Sequence, residues 1–184
     1  AVANVSILAS GLGSEPIDVT AQGDNEVFAG TIWAASYGAS SFTIFEPVPS
    51  TGVWSDVPYN ISAFTPPVRH ENGFVELNGK FYLIGGRVEK NVNIYDPATK
   101  TWTLGAASPI ELHHFQAVVY NQEIYAICAM TGPFPNEVPV QNIYKCSPQN
   151  NTWTIGATIP VSRRRGSSGV VLYNNKFFII GGIQ

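Results

Sequence analysis

Val75-Glu76-Leu77-Asn78-Gly79-Lys80-Phe81-Tyr82-Leu83-Ile84-Gly85-Gly86 decides the fold, because the chain writes it three times. The second copy is Val118-Val119-Tyr120-Asn121-Gln122-Glu123-Ile124-Tyr125-Ala126-Ile127-Cys128-Ala129, and the third is Val171-Leu172-Tyr173-Asn174-Asn175-Lys176-Phe177-Phe178-Ile179-Ile180-Gly181-Gly182. Each reads as a short apolar run, a two-residue turn and a second apolar run. Asn-Gly is the dipeptide favoured in two-residue hairpins, because both residues accept positive φ. A further phrase follows the first two copies: Asn93-Ile94-Tyr95-Asp96-Pro97-Ala98-Thr99-Lys100-Thr101-Trp102-Thr103 returns as Tyr144-Lys145-Cys146-Ser147-Pro148-Gln149-Asn150-Asn151-Thr152-Trp153-Thr154.

A unit of roughly fifty residues made of short strands and turns is the signature of a β-propeller blade. Within the best copy, strand a covers Val75 to Leu77, strand b Phe81 to Ile84 and strand c Val92 to Tyr95, and strand d starts at Trp102. Gly85-Gly86 closes strand b where the backbone is expected to run too near the propeller axis for a Cβ. Trp102 and Trp153 are expected to pack between neighbouring sheets. An earlier blade is sketched more faintly by Ile17 to Thr20, Val27 to Gly30, Phe42 to Phe45 and Trp54.

The pattern over residues 69–184 resembles the kelch repeat, with a double glycine, a Tyr near the end of strand c and a Trp seven residues later. In the second copy Cys128-Ala129 stand for the double glycine and Cys146 for the Tyr, so that repeat is degenerate. The resemblance implies an all-β, kelch-type propeller. The expected units are a degenerate blade at about 13–68, blades at about 69–111 and 112–162, and half a blade at about 163–184. Closed propellers have four to eight blades. Three and a half therefore read as part of a longer one.

Composition narrows the function classes. The 184 residues are 45% hydrophobic and 12% charged, with a net charge of −3, and no apolar run approaches the length of a membrane helix. Residues 1–68 hold six acids and no Lys or Arg, whereas residues 69–184 hold all ten basic residues against seven acids. That balance gives no whole-chain case for nucleic-acid binding. Asn60 and Asn150 begin glycosylation sequons, as does Asn4. Together with the low charge content they lean towards an extracellular or cell-surface setting, the alternative being the cytoplasm.

In an up-and-down blade the b–c and d–a loops share one face by strand direction alone. That face is expected to collect Arg69, His70, Arg87, Lys90, His113, His114, Arg163, Arg164 and Arg165, interleaved with Glu71, Glu89, Glu111 and Glu137. The insertion Thr131 to Pro139, carrying Phe134, emerges there too. Arginines can grip carboxylates bidentately, and an exposed aromatic can anchor a partner. The candidate partner-binding residues are therefore Arg69, Arg87, His113, His114, Phe134, Arg163, Arg164 and Arg165. The expected partner is a protein or peptide, acidic ones suiting the arginines. The competing reading is that each arginine supports the fold. In peptide-binding kelch domains an Arg follows the double glycine and another precedes strand a. Arg87 matches the first position, and Arg69 and Arg165 match the second.

Adjacent strand residues point to opposite faces, so His113 and His114 are expected to form a solvated pair and not to share a metal. No metal site, cofactor or catalytic residue is expected. Kelch propellers also include galactose-oxidase-like copper enzymes and sialic acid epimerases, yet this chain has no Tyr-His pair of the copper type. A carbohydrate-binding surface domain is the remaining alternative. Cys128 and Cys146 end strands b and c of one hairpin, which leaves open a disulfide clamping the base of the insertion or two free buried thiols.

Overall fold

The double-glycine phrases fold as hairpins, and each hairpin seeds a sheet. The computed structural model describes residues 64–184 and the backbone course of four earlier strands. Those four are β1 (Pro16–Ala21), β2 (Ile32–Ser36), β3 (Ser41–Phe45) and β4 (Trp54–Asp56), joined in that order as an antiparallel sheet. The expected strand Val27 to Gly30 lies outside the described residues, and β2 falls just after it.

The second sheet is β5 (Asn72–Leu77), β6 (Lys80–Gly85), β7 (Asn91–Asp96) and β8 (Thr101–Ala107), again in chain order. The third sheet pairs β9 (Gln116–Tyr120), β10 (Glu123–Ile127), β13 (Asn142–Ser147) and β14 (Thr152–Thr158). Between β10 and β13 the insertion is closed at its base by a small ribbon of β11 (Met130–Thr131) and β12 (Val138–Pro139). β15 (Gly169–Tyr173) and β16 (Lys176–Ile180) form the last hairpin.

Register explains why the phrases repeat. Val75 pairs with Tyr82, Val118 with Tyr125, and Val171 with Phe178. The intervening turns have φ of 54° and 77° at Asn78-Gly79, 50° and 61° at Asn121-Gln122, and 47° and 58° at Asn174-Asn175. Asn tolerates this left-handed conformation better than other side chains, so all three sequences make the same tight turn.

The sheets stack through apolar faces. One core cluster joins Val75, Tyr82, Ile84 and Val92 of the second sheet to Phe115, Ala117, Ile124 and Tyr144 of the third. Another joins Ile127 and Cys128 to Val170, with Phe177 packed against it. Trp153 packs partly buried against the first cluster, between sheets as expected, whereas Trp102 is buried beside Tyr95 of its own sheet. Trp153 Nε1 also donates across the joint to the Ala106 carbonyl at 3.1 Å.

Near the inner ends of the sheets, equivalent residues are linked blade to blade. Glu71, His114 and Ser167 occupy matching positions, with φ of 61°, 54° and 53°. The His114 amide donates to the Glu71 carbonyl at 2.9 Å, and the Ser167 amide donates to the His114 carbonyl at 2.6 Å. The double glycine has a related purpose. A Cβ on Gly85, whose φ is +67°, would lie 2.3 Å from the Leu112 carbonyl oxygen. The obstacle is thus the neighbouring blade's backbone. Cys128 holds the same left-handed conformation, at φ 56°, without being glycine.

Candidate functional site

The d–a and b–c loops do come together, but the residues they deliver divide into supports and a cluster. Arg69 is a support. It is buried, and its guanidinium donates to the Gly85 carbonyl at 3.0 Å, to the Asn91 carbonyl at 3.2 Å and to Asn93 Oδ1. Burial lowers its pKa, with Glu89, 3.7 Å away, acting in the opposite sense. A side chain spent on tying the b–c loop to strands β6 and β7 has no face left for a partner, which corrects the binding role expected for it.

Arg165 repeats that pattern one hairpin on, donating to the Gly181 carbonyl at 2.9 Å and to the Arg163 carbonyl at 3.2 Å. Arg164 donates to the Ile159 carbonyl at 3.1 Å. Of the three consecutive arginines, Arg163 is the one whose side chain stands exposed, at the end of a short 3-10 turn, Val161–Arg163.

The cluster is built around Arg87. Its Nε lies 2.7 Å from Glu71 Oε2, and a terminal nitrogen bonds Glu137 Oε1. Burial alone would lower the Arg87 pKa, but hydrogen bonds and charge from Glu137 and Glu71 outweigh it and leave the pKa raised. Burial likewise pushes the Glu137 carboxyl upward, and the Arg87 bond more than reverses this, so Glu137 ends below the usual carboxylate range. Glu137 comes from the insertion, a segment without a repeat counterpart.

His113 and His114 complete the group and depart from expectation twice. His113 is fully buried, so the pair is not solvated. The two side chains also converge. His114 sits at φ 54°, which breaks the strand alternation and turns its ring towards its neighbour, leaving the two Nδ1 atoms 2.8 Å apart. His113 Nε2 meets the Gly132 carbonyl at 3.0 Å. A carbonyl only accepts, so Nε2 carries the proton and Nδ1 presents a lone pair. His114 Nδ1 is 3.1 Å from Glu71 Oε2, and burial holds its pKa below the ordinary histidine value, Glu71 opposing and His113 assisting.

Beside the cluster opens a pocket of about 300 Å³ lined by Glu71, Asn72, His114, Phe115, Gln116, Ser167 and Ser168. The insertion meets the cluster itself, through Glu137 and Gly132. Its ribbon, the His113 contact to Gly132 and the Glu137–Arg87 pair fix its base, while Phe134 is 76% exposed at its tip.

The disulfide alternative fails on register. Cys146 pairs with Ile124, four residues before Cys128. Four strand residues span about 13 Å, well beyond the Cα separation of about 7 Å that a disulfide tolerates. The two thiols also sit in different core clusters and are free. Burial pushes Cys146 up to about 12, with Glu123 adding to the shift. Asn150 is exposed in the turn between β13 and β14, and Asn60 lies outside the described residues.

Comparison with known proteins bears on what kind of molecule this is. No family model matches. The chain is 24% identical over 147 residues to Kelch-like protein terF of Aspergillus terreus, covering 73% of this chain and 32% of that protein. It is 30% identical over 112 residues to human Kelch repeat and BTB domain-containing protein 8, covering 56% of this chain and 16% of the relative. Alpha-scruin of Limulus polyphemus is 26% identical over 120 residues, covering 62% and 13%. The chain thus spans a third or less of the length of these relatives. The solved structure of YjhT superposes with a TM-score of 0.72 at 14% identity, over 96% of this chain and 61% of that one, a likeness of fold. The class is that of the β-propellers built of four-stranded antiparallel blades. More particularly, the sequence matches are kelch-repeat proteins, and the fold is that of a kelch-type propeller.

Proposed function

We propose that this chain is a non-catalytic recognition module that binds a protein or peptide through the face formed by its b–c and d–a loops. The observation that carries the reading is the insertion: a segment with a fixed base that holds Phe134 out in solvent. An aromatic presented on a pre-ordered support loses little side-chain entropy on binding, and such residues concentrate binding energy. Arg163, exposed on the same side of the blades, supplies positive charge for an acidic partner. Among the expected arginines it remains the candidate, since Arg69, Arg164 and Arg165 are engaged with backbone carbonyls.

A setting inside the cell suits the molecule better than an extracellular one. The disulfide that would have favoured secretion does not form, and the kelch-like relatives lend the extracellular expectation no support.

The test is affinity capture from a lysate of the source cells, with the chain and its Phe134→Ala/Arg163→Glu variant side by side. Proteins retained by the first and lost from the second, with equal melting temperatures, support the reading. Identical capture by both refutes it.

A further inference from the structure

We infer that Glu71, His113, His114 and Glu137 form a binding site for a divalent transition-metal ion of the zinc class, in which Arg87 occupies the cation's place when no metal is bound. Each residue offers one donor atom, and the four atoms lie within 4.8 Å of one another. The histidine Nδ1 atoms are 2.8 Å apart, and Glu71 Oε2 lies 3.1 Å from His114 Nδ1 and 3.8 Å from His113 Nδ1. His114 Nδ1 to Glu137 Oε1 is 3.9 Å. Zinc–nitrogen and zinc–oxygen bonds of about 2.0–2.2 Å in a tetrahedron put donor atoms about 3.3 Å apart. The observed separations bracket that value.

Two further features favour a metal over a chance cluster. The His113 Nε2–H donates to the Gly132 carbonyl, the outer contact that commonly orients a metal-ligating imidazole and fixes its bare nitrogen. That bare nitrogen belongs to a fully buried ring and points into the cluster. Secondly, the ion pairs of Arg87 engage the same oxygens, Glu71 Oε2 and Glu137 Oε1, that complete the donor set. A positive charge is thus already required there. Two imidazoles with two carboxylates suit zinc and its transition-metal neighbours better than calcium or magnesium, which favour all-oxygen sites.

On binding, the proton that His114 Nδ1 donates to His113 Nδ1 moves to His114 Nε2, which keeps the ring neutral and bares Nδ1, and Arg87 swings off the carboxylates. The ion would join the second sheet's leading loop (Glu71), the third sheet's leading loop (His113 and His114) and the insertion (Glu137). The inference is independent of partner binding, because it concerns the base of the loops and not Phe134 or Arg163.

The experiment titrates Zn²⁺ into the metal-stripped 184-residue chain by calorimetry, with Co²⁺ in parallel so that its visible bands report the ligand field. The expected result is one ion per chain with a tetrahedral nitrogen–oxygen spectrum. Binding should weaken at least about tenfold in both His114→Ala and Glu137→Gln, since losing even an outer-shell partner costs that much. Arg87→Met should tighten it. Circular dichroism melts establish that each variant is folded. If His114→Ala does not fold, Glu137→Gln decides, because Glu137 sits on the insertion outside the core. Binding absent at millimolar zinc, unchanged in Glu137→Gln, or weakened by Arg87→Met would overturn the inference.

Discussion

Replacing Arg69 by Met tests whether the arginine ahead of strand a is a structural tie or a recognition residue. Met keeps much of the side chain's length and apolar stem and removes the guanidinium. The substitution strands the Gly85 carbonyl, the Asn91 carbonyl and Asn93 Oδ1 in a site where Arg69 itself is 3% exposed. It also leaves Glu89 without its nearby cation. A buried acceptor left unsatisfied costs about 1–3 kcal/mol, and breaking a buried ion pair costs about 3–5 kcal/mol. These overlap here, because Glu89 is partly exposed, so we expect a net loss of about 3–5 kcal/mol. The equivalent change Arg165→Met removes bonds to two carbonyls in a half-exposed setting and should cost about 1 kcal/mol. Urea unfolding followed by tryptophan fluorescence measures both. Should Arg69→Met and Arg165→Met shift the midpoint equally and slightly, the tie assigned to Arg69 is wrong.

The glycine and cysteine contacts give two further outcomes. Gly85→Ala forces a Cβ against the Leu112 carbonyl and strains a positive φ, and should cost more than about 3 kcal/mol; Gly181→Ala, with the same sign of φ and nothing within 4 Å, should cost about 1 kcal/mol. Equal losses in thermal melts would show that φ strain alone sets the requirement. Native mass spectrometry should find both thiols reduced, and iodoacetamide should leave Cys146 unmodified at pH 8 until the chain is denatured, because its folded pKa is about 12. A mass two hydrogens lighter, or rapid native labelling of Cys146, would contradict the burial described.

The repeat was legible because its determinants are local. An Asn at the first turn position, a β-branched or aromatic run on either side and a Trp after the c–d turn specify strand, turn and register without reference to anything distant. Loop direction was also legible, since alternating strands leave no choice of face. What each loop residue does there was not. Arg69 and Arg163 look alike in sequence, and only the acceptors left open by β6 and β7 separate a buried tie from an exposed charge. The convergence of His113 and His114 depends on a left-handed residue at a position filled by Glu, His and Ser in successive blades, none of them a conformational signal. Aligning Glu71, His114 and Ser167 as equivalents would have flagged the position. Glu137 had no such aid, because the insertion has no counterpart to align with.

The backbone links from Ser167 to His114 and from His114 to Glu71 act as hinge pins at the two joints between neighbouring blades among the described residues. In a quasi-one-dimensional array, stability divides into the worth of each unit and the worth of each joint. Glu71 and His114 are pins whose side chains face the loop mouth, so whatever grips both side chains acts on the joint and not on either blade. Such a ligand would sharpen the unfolding transition, merging steps that separate blades would take alone. The mouth of this molecule is therefore also a place from which the mechanical coupling of its blades can be set.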